Sequence, residues 1–153
     1  MAKKSFKVSE PAAALYQKAK MSVEDILRLN LADLDEPLSR LDTFRNGLDK
    51  NAFESLKALS GLDYETLADA LGVSAKTLQR KEVFDTGQSE KLYQLAELYA
   101  TGINYFGREG FRRWMERPLF TLGNRIPLDL IDVSEGISLL KTEIMRLQHG
   151  IAV

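Results

Sequence analysis

Ser74-Ala75-Lys76-Thr77-Leu78-Gln79-Arg80-Lys81 holds the best-defined chemistry in this 153-residue chain. In the DNA major groove a glutamine amide matches adenine, and an arginine guanidinium matches guanine. Gln79 and Arg80 supply both, Lys76 adds a cation, and the hydroxyls of Ser74 and Thr77 suit phosphate oxygens. Residues 74–81 sum to +3, whereas residues 61–73, with Asp63, Glu65 and Asp69, sum to -3. A second dense stretch is Phe111-Arg112-Arg113-Trp114-Met115-Glu116-Arg117-Pro118. Phe111, Trp114 and Met115 fall at i, i+3 and i+4 and share one helix face. Two readings of that face stay open: a core stripe, or an interface, where Trp and Arg are favoured.

Other chemistry is excluded by what the chain lacks. There is no cysteine, so disulfides, thiolate metal sites and Cys nucleophiles are absent. His149 is the single histidine, which rules out a multi-histidine metal site. It reads as a helix-end residue favoured by the dipole. Asp33, Asp35 and Glu36 read as a solvated helix entry, because nothing sets six oxygens around one point. Without a histidine near a serine, and without a glycine-rich phosphate loop, an enzyme is not expected. Neither is a metal or cofactor. The 21 basic and 22 acidic residues leave a net charge of -1, so DNA binding needs a local patch. No apolar run is long enough to span a bilayer, and the basic start Met1 to Lys7 has no apolar segment behind it. A cytoplasmic protein is expected.

The elements that must position these residues are all helical, since period-two alternation is lacking. A basic tail, residues 1–9, precedes a helix from Pro11 to about Lys20. Ser22 with Asp25 caps the next, and Asp35-Glu36-Pro37 opens another with Leu38, Leu41, Phe44 and Leu48 on related faces. Asp49 caps a helix bearing Phe53, Leu56 and Leu59, closed by Gly61. Residues 63–71 form a helix stopped by Gly72, and Ser74 caps a second. Ala68, Gly72 and Leu78 have helix-turn-helix spacing: a small residue for close approach, a turn glycine, an apolar anchor. The second helix of such a pair presents its N-terminal residues to the major groove. Lys81 stands where another apolar anchor is usual. Ser89 is then expected to cap a long helix that Gly102 ends or bends. Its Leu92, Leu95, Leu98 and Tyr99 serve either the core or an interface. Arg108–Arg117 is a short helix ended by Pro118, and residues 122–128 form a Gly/Pro loop. Asp129 reads as the cap of a short turn. Asp132, Ser134 and Glu135 open the last helix, with Ile137, Leu140, Ile144 and Leu147 at helical spacing before Gly150.

Trp114-x3-Pro118, Leu122-Gly123, Pro127-Leu128-Asp129-Leu130, Gly136 and His149-Gly150, in this order behind a helix-turn-helix, resemble the Xre/MbcA/ParS-type antitoxin family. The resemblance covers residues 45–153. Asn124 departs from it where a second glycine is frequent, and Val133-Ser134 where a Thr is usual. The chain reads as all-α, with an N-terminal helical extension of open role (1–44) outside the resemblance; the resemblance implies a helix-turn-helix DNA-binding and dimerisation domain (45–101) and a toxin-binding domain (102–153). It further implies an antitoxin of a type II toxin–antitoxin system. Such a protein neutralises an NAD-consuming RES-domain toxin by blocking its active site and represses its own promoter as a homodimer. The alternative is a stand-alone transcription regulator without a toxin. Trp114, Arg117, Asp129, His149, Ile151 and Val153 are the toxin-binding candidates. The Val153 carboxylate and the carboxylates of Asp129, Asp132 and Glu135 are rivals for an electropositive NAD pocket. Ser74, Lys76, Thr77, Gln79 and Arg80 are the DNA-binding candidates.

Overall fold

The computed structural model describes residues 20–150. The expected tail and the helix from Pro11, like Ile151 and Val153, lie outside the described residues. The helices run α1 Val23–Leu27, α2 Leu31–Leu34, α3 Pro37–Asn46, α4 Lys50–Ser60, α5 Tyr64–Leu71, α6 Ala75–Arg80, α7 Thr86–Glu116 and α8 Ser134–Gln148. Two 3-10 turns, Phe120–Leu122 and Pro127–Leu130, separate α7 from α8. Among the described residues the fold is all-α, with only two isolated antiparallel bridges, Asp49–Val83 and Leu119–Arg125.

Most helix starts follow from a side chain that accepts an otherwise unpaired amide. Ser22 accepts from the Asp25 amide, Asp49 from Ala52 and Ser74 from Thr77, as expected; Asp63, expected inside its helix, is instead its cap and accepts from Thr66. Gly61 and Gly72 end α4 and α5 in the left-handed conformation.

Three further boundaries differ from expectation. Asp85, not Ser89, caps α7. Its carboxylate accepts from the Gln88 amide at 2.8 Å, and the Gln88 side chain accepts from the Asp85 amide at 3.2 Å. The reciprocal pair starts the helix one turn early, and Ser89 becomes interior. Its buried hydroxyl accepts the Leu48 amide at 2.9 Å and donates to the Phe84 carbonyl at 3.4 Å. The second correction concerns Gly102, which neither ends nor bends the helix. The break is at Gly107, whose φ of 76° and ψ of 167° are non-helical. Third, α8 begins at Ser134 with Val133 as its N-cap and no side-chain cap.

Gly102 has a different task. In a straight helix, residues 102 and 111 would stand about 13 Å apart along the axis. Here a Cβ on Gly102 would come within 2.2 Å of the Phe111 ring. The chain has folded back at Gly107, and the arm 108–116 lies against the arm that precedes it. Tyr99 and Phe111 meet edge to face with centroids 5.0 Å apart, and Trp114 stacks on Phe106 at 5.4 Å and on Phe111 at 5.9 Å. Trp114 is thus buried, and of its two readings the core one describes where its ring sits.

α7 is the centre of the molecule. Leu92, Leu95 and Leu98 are 0% exposed, so the alternative left open for this face is decided in favour of the core. Burying three such leucines stabilises the fold by roughly 5–9 kcal/mol before chain entropy is counted. α8 packs along α7 through Ile137, Leu140 and Ile144, and the Lys141–Glu97 ion pair at 3.4 Å spans the two helices. On the other side, Ile26 and Leu27 of α1 join the same core, and α1 packs on α4 and α7. The Asn104 amide closes this joint: it accepts from the Met21 amide at 2.7 Å and donates to the Met21 carbonyl at 2.8 Å.

The Gly102–Phe111 contact is testable by equilibrium urea denaturation. Gly102→Ala is expected to lower stability by about 2–3 kcal/mol, because the ring must move out of a packed cluster. Gly87→Ala, where the new Cβ meets nothing closer than 3.6 Å, should raise stability by about 0.4–1 kcal/mol. Equal effects at the two sites would remove the packing explanation.

Candidate functional site

Two surfaces carry the residues singled out from the sequence. The first is the helix pair α5–α6. Asp63 caps α5, and hydrogen bonds from the Thr66 amide and hydroxyl hold its carboxyl below the usual carboxylate range. Gly72, with φ 71°, donates to the Ala68 and Asp69 carbonyls, and the Val73 amide donates to Ala68. This closes the turn so that α6 starts immediately. Leu78 is its buried anchor, while Ser74, Lys76, Thr77, Gln79 and Arg80 all face solvent. The structure therefore places all five DNA-reading candidates on one short exposed element. Ser74 and Thr77 also serve the helix: their hydroxyls are 2.9 Å apart and Ser74 accepts the Thr77 amide.

Lys81 is where an apolar anchor was missed. Phe84 fills that role, being buried against Phe53 at 5.5 Å, with the Lys81 ammonium 5.9 Å from its ring centre. A backbone clamp reinforces it. The Phe84 amide donates to Leu48, the Lys50 amide donates to Glu82, and the Lys50 ammonium reaches the Gln79 carbonyl at 3.0 Å. Those bonds hold the end of α6 against the start of α4. Sequence reasoning did not find the clamp, because it is an isolated bridge between Asp49 and Val83 with no alternating run on either side.

The second surface lies beyond the folded-back arm. Leu119 donates to Arg125 and Asn124 donates to Leu119, which closes a tight turn over residues 119–125. Asn124 has φ 64°, so it adopts the left-handed backbone that a glycine would take there. Asparagine is the residue best suited to do so after glycine. Gly136 lies so close to the Leu130 carbonyl that no side chain fits, which seats the turn 127–130 on α8. Asp129 sits exposed within that turn and does not cap it, since the N-cap is Ile126 and makes no side-chain bond. Lys91 from α7 donates to the Asp132 carbonyl, with its ammonium pKa pushed down by burial and partly restored by the Asp132 carboxylate.

Segment 128–132 forms a wall shared by two grooves. One, of about 620 Å³, runs between this segment and the α5–α6 turn, with Asp69, Asp129, Asp132 and Ser74 in its lining. The other, of about 420 Å³, lies on the far side between Leu122, Arg125, Val133 and Leu139. Two of its lining side chains stand in solvent, Val133 at 55% and Leu139 at 47% exposed, and Phe120, two residues before Leu122, is 88% exposed. The sequence reading did not single out Phe120 or Leu139, and named Val133 only as a departure from the family pattern. Arg117 and His149 are exposed, the latter at the end of α8, where its amide donates to the Met145 and Leu147 carbonyls. Among the described residues no cluster of His, Cys, Asp or Glu is arranged to hold a metal ion. None of their helices is long and apolar enough to cross a membrane.

These surfaces coincide with two matches to known proteins. Residues 39–97 match the antitoxin Xre-like helix-turn-helix domain, and residues 101–150 match the antitoxin Xre/MbcA/ParS C-terminal toxin-binding domain. A protein of Sphingobium sp. (strain YBL2), named Prs ADP-ribosylating antitoxin, is 23% identical over 128 residues, covering 74% of this chain and 80% of the relative. Antitoxin Xre of Yersinia enterocolitica (serotype O:8, biotype 1B, strain NCTC 13174 / 8081) is 22% identical over 117 residues, covering 72% of this chain and 79% of the relative.

Proposed function

The chain belongs to the Xre/MbcA/ParS antitoxin family, and on that premise we propose that it neutralises a RES-domain, NAD-consuming toxin by covering its active site and, as a homodimer, represses its own promoter. The chain is an antitoxin with a toxin-binding C-terminal domain; the toxin's class and the blocking mode are the proposal. The Sphingobium relative's name supports NAD chemistry, because ADP-ribosylation draws its ADP-ribose from NAD. A pocket that holds a dinucleotide pyrophosphate is electropositive. The acidic side chains of Asp129, Asp132 and Glu135 offer the complementary charge.

One observation carries the assignment of the toxin-facing surface. The N-cap of α8 is Val133, which gives no cap and is 55% exposed. A Thr there would satisfy a free helix amide and gain about 1 kcal/mol. An exposed valine at a capping position forgoes that gain, and breaches of local rules concentrate at functional sites. Leu139 is its exposed apolar companion in the same groove, with Asp129 as a polar lining residue; Phe120 and Arg117 stand exposed on the segment before it, and His149 lies at the far end of α8. Trp114 acts from beneath, fixing the arm that delivers Arg117 and Pro118. Ile151 and Val153 complete the blocking element proposed for the end of α8.

On the DNA side, α6 has six residues and reads few base pairs, so a two-fold operator needs two copies. Gln79 and Arg80 read bases, while Lys76 with the hydroxyls of Ser74 and Thr77 holds phosphates. The chain acts by occupying another enzyme's site and needs no catalysis or cofactor of its own.

Three measurements check this reading. Val133→Thr is expected to raise stability by about 0.5–1 kcal/mol in urea and to weaken inhibition of the toxin in an NAD-consumption assay. Full inhibition by that variant would remove Val133 from the interface. Deleting residues 148–153 should restore NAD consumption in the mixed assay, and unchanged inhibition would refute the blocking element. Arg80→Ala should lower promoter affinity by about 10–100-fold at fixed salt without affecting neutralisation. Wild-type promoter binding by Arg80→Ala would count against α6 as the reading helix.

A further inference from the structure

α6 has six residues and one buried side chain, Leu78. A helix that short holds little of its own geometry. Ser74 fixes its first turn. The last turn leaves carbonyls without an amide ahead of them, because the chain turns extended at Lys81, with ψ 133°. Among the described residues two donors meet those carbonyls. The Lys81 amide donates to Leu78 at 3.3 Å, and the Lys50 ammonium, reaching across from α4, donates to Gln79 at 3.0 Å.

Lys50 is firmly moored for this contact. It opens α4 beside the Asp49 cap, and its own amide donates to the Glu82 carbonyl at 2.9 Å. The Leu48 amide donates to the buried Ser89 hydroxyl of α7 at 2.9 Å, and the Phe84 amide donates to the Leu48 carbonyl. The backbone that carries Lys50 is thus tied to the core, while its ammonium is tied to α6. The Glu82 carboxylate stands 3.8 Å from the same ammonium and its side chain is 79% exposed. An ion pair so long and so exposed contributes little. The bond to Gln79 is the stronger contact, since a lysine near a helix C-terminus satisfies a last-turn carbonyl.

The carbonyl that Lys50 holds belongs to the peptide joining Gln79 to Arg80, the two base-reading candidates. We propose that Lys50 is a positioning residue for base reading: it touches no DNA and fixes the orientation of the Gln79–Arg80 peptide. This rests on the reading of α6 as the DNA-reading helix and adds to it the residue that aims the helix. Bidentate pairing with a base edge tolerates little angular error. The phosphate-holding candidates Ser74, Lys76 and Thr77 stand on the first turn, which the Ser74 cap fixes independently. Losing the Lys50 bond therefore removes sequence discrimination and leaves the sequence-independent phosphate attraction in place.

The test compares the promoter with a random-sequence duplex of equal length, for the full chain across a salt series. Lys50→Met should weaken promoter binding by about tenfold and random-duplex binding by less than about twofold, with both salt dependences unchanged. Lys50→Arg keeps a donor at the end of the side chain and should recover promoter binding to within about threefold. Glu82→Gln removes the ion pair alone and should leave the ratio of the two affinities at its wild-type value. Without DNA, hydrogen exchange at the Arg80 and Lys81 amides should quicken in Lys50→Met, while α4 and α5 exchange as in the wild type, which also shows that the variant is folded. A salt slope that falls by about 0.9 makes Lys50 a phosphate contact and overturns the proposal. Equal losses on both duplexes, unchanged promoter affinity, a Glu82→Gln protein that behaves like Lys50→Met, or wild-type exchange at Arg80 each overturn it as well. A wild-type chain that binds promoter and random duplex alike removes α6 as the reading helix, and the proposal with it, whatever the exchange result.

Discussion

A missing methyl group decides the shape of this molecule. Gly102 lets the Phe111 ring lie directly on the backbone of α7, and the left-handed Gly107 allows the chain to reverse so that it can get there. The reversed arm then buries Phe111, Trp114 and Met115 against the helix it came from. Its end sets the direction of Arg117 and Pro118, and thus where the two 3-10 turns land. They land beside the α5–α6 turn, so residues 128–132 become one wall of the acidic groove. The desolvated Lys91, bonded to the Asp132 carbonyl, holds that placement from the α7 side. Without the reversal, the C-terminal third would continue along the α7 axis and share no surface with the helix-turn-helix.

Much of this was legible in the sequence wherever the controlling interaction is local. Ser22, Asp49 and Ser74 cap their own helices within three residues, and Gly61 and Gly72 end theirs. The helix-turn-helix was legible because it is a local pattern of spacing. Legibility fails where a residue answers to a distant partner. Ser89 looks like a cap, but its hydroxyl serves Leu48, 41 residues away. Gly102 looks like a helix end, but its partner is a ring in the next arm. The capping box Asp85–Gln88 was readable and was masked by the more familiar serine. The grooves could not be read at all, since their walls come from residues 66–74 and 128–139 and meet only through the α7 reversal. The leucines of α3 were visible as a periodic set, yet periodicity does not say whether a stripe faces inward or outward.

Two departures from the family pattern have opposite physical meanings. Asn124 stands where glycine is frequent and does glycine's work, because its short polar side chain tolerates a φ of 64°. The turn 119–125 is therefore preserved at a modest strain cost. Val133 stands where a capping residue is usual and does not do that work. Local stability is lost there and apolar exposure is gained. The net charge of -1 divides in the same uneven way. The cations of α6 face outward, while Asp69, Asp129 and Asp132 line a groove beside them.

Segment 128–132 borders one groove toward the α5–α6 turn and another toward α8. A ligand that settles in either groove and shifts this strip changes the walls available to a ligand in the other. Thermodynamic linkage makes that effect reciprocal: whatever factor the first occupant imposes on the second, the second imposes on the first. Within a single chain, five residues are thus the common wall of two grooves, and any displacement of them is felt in both.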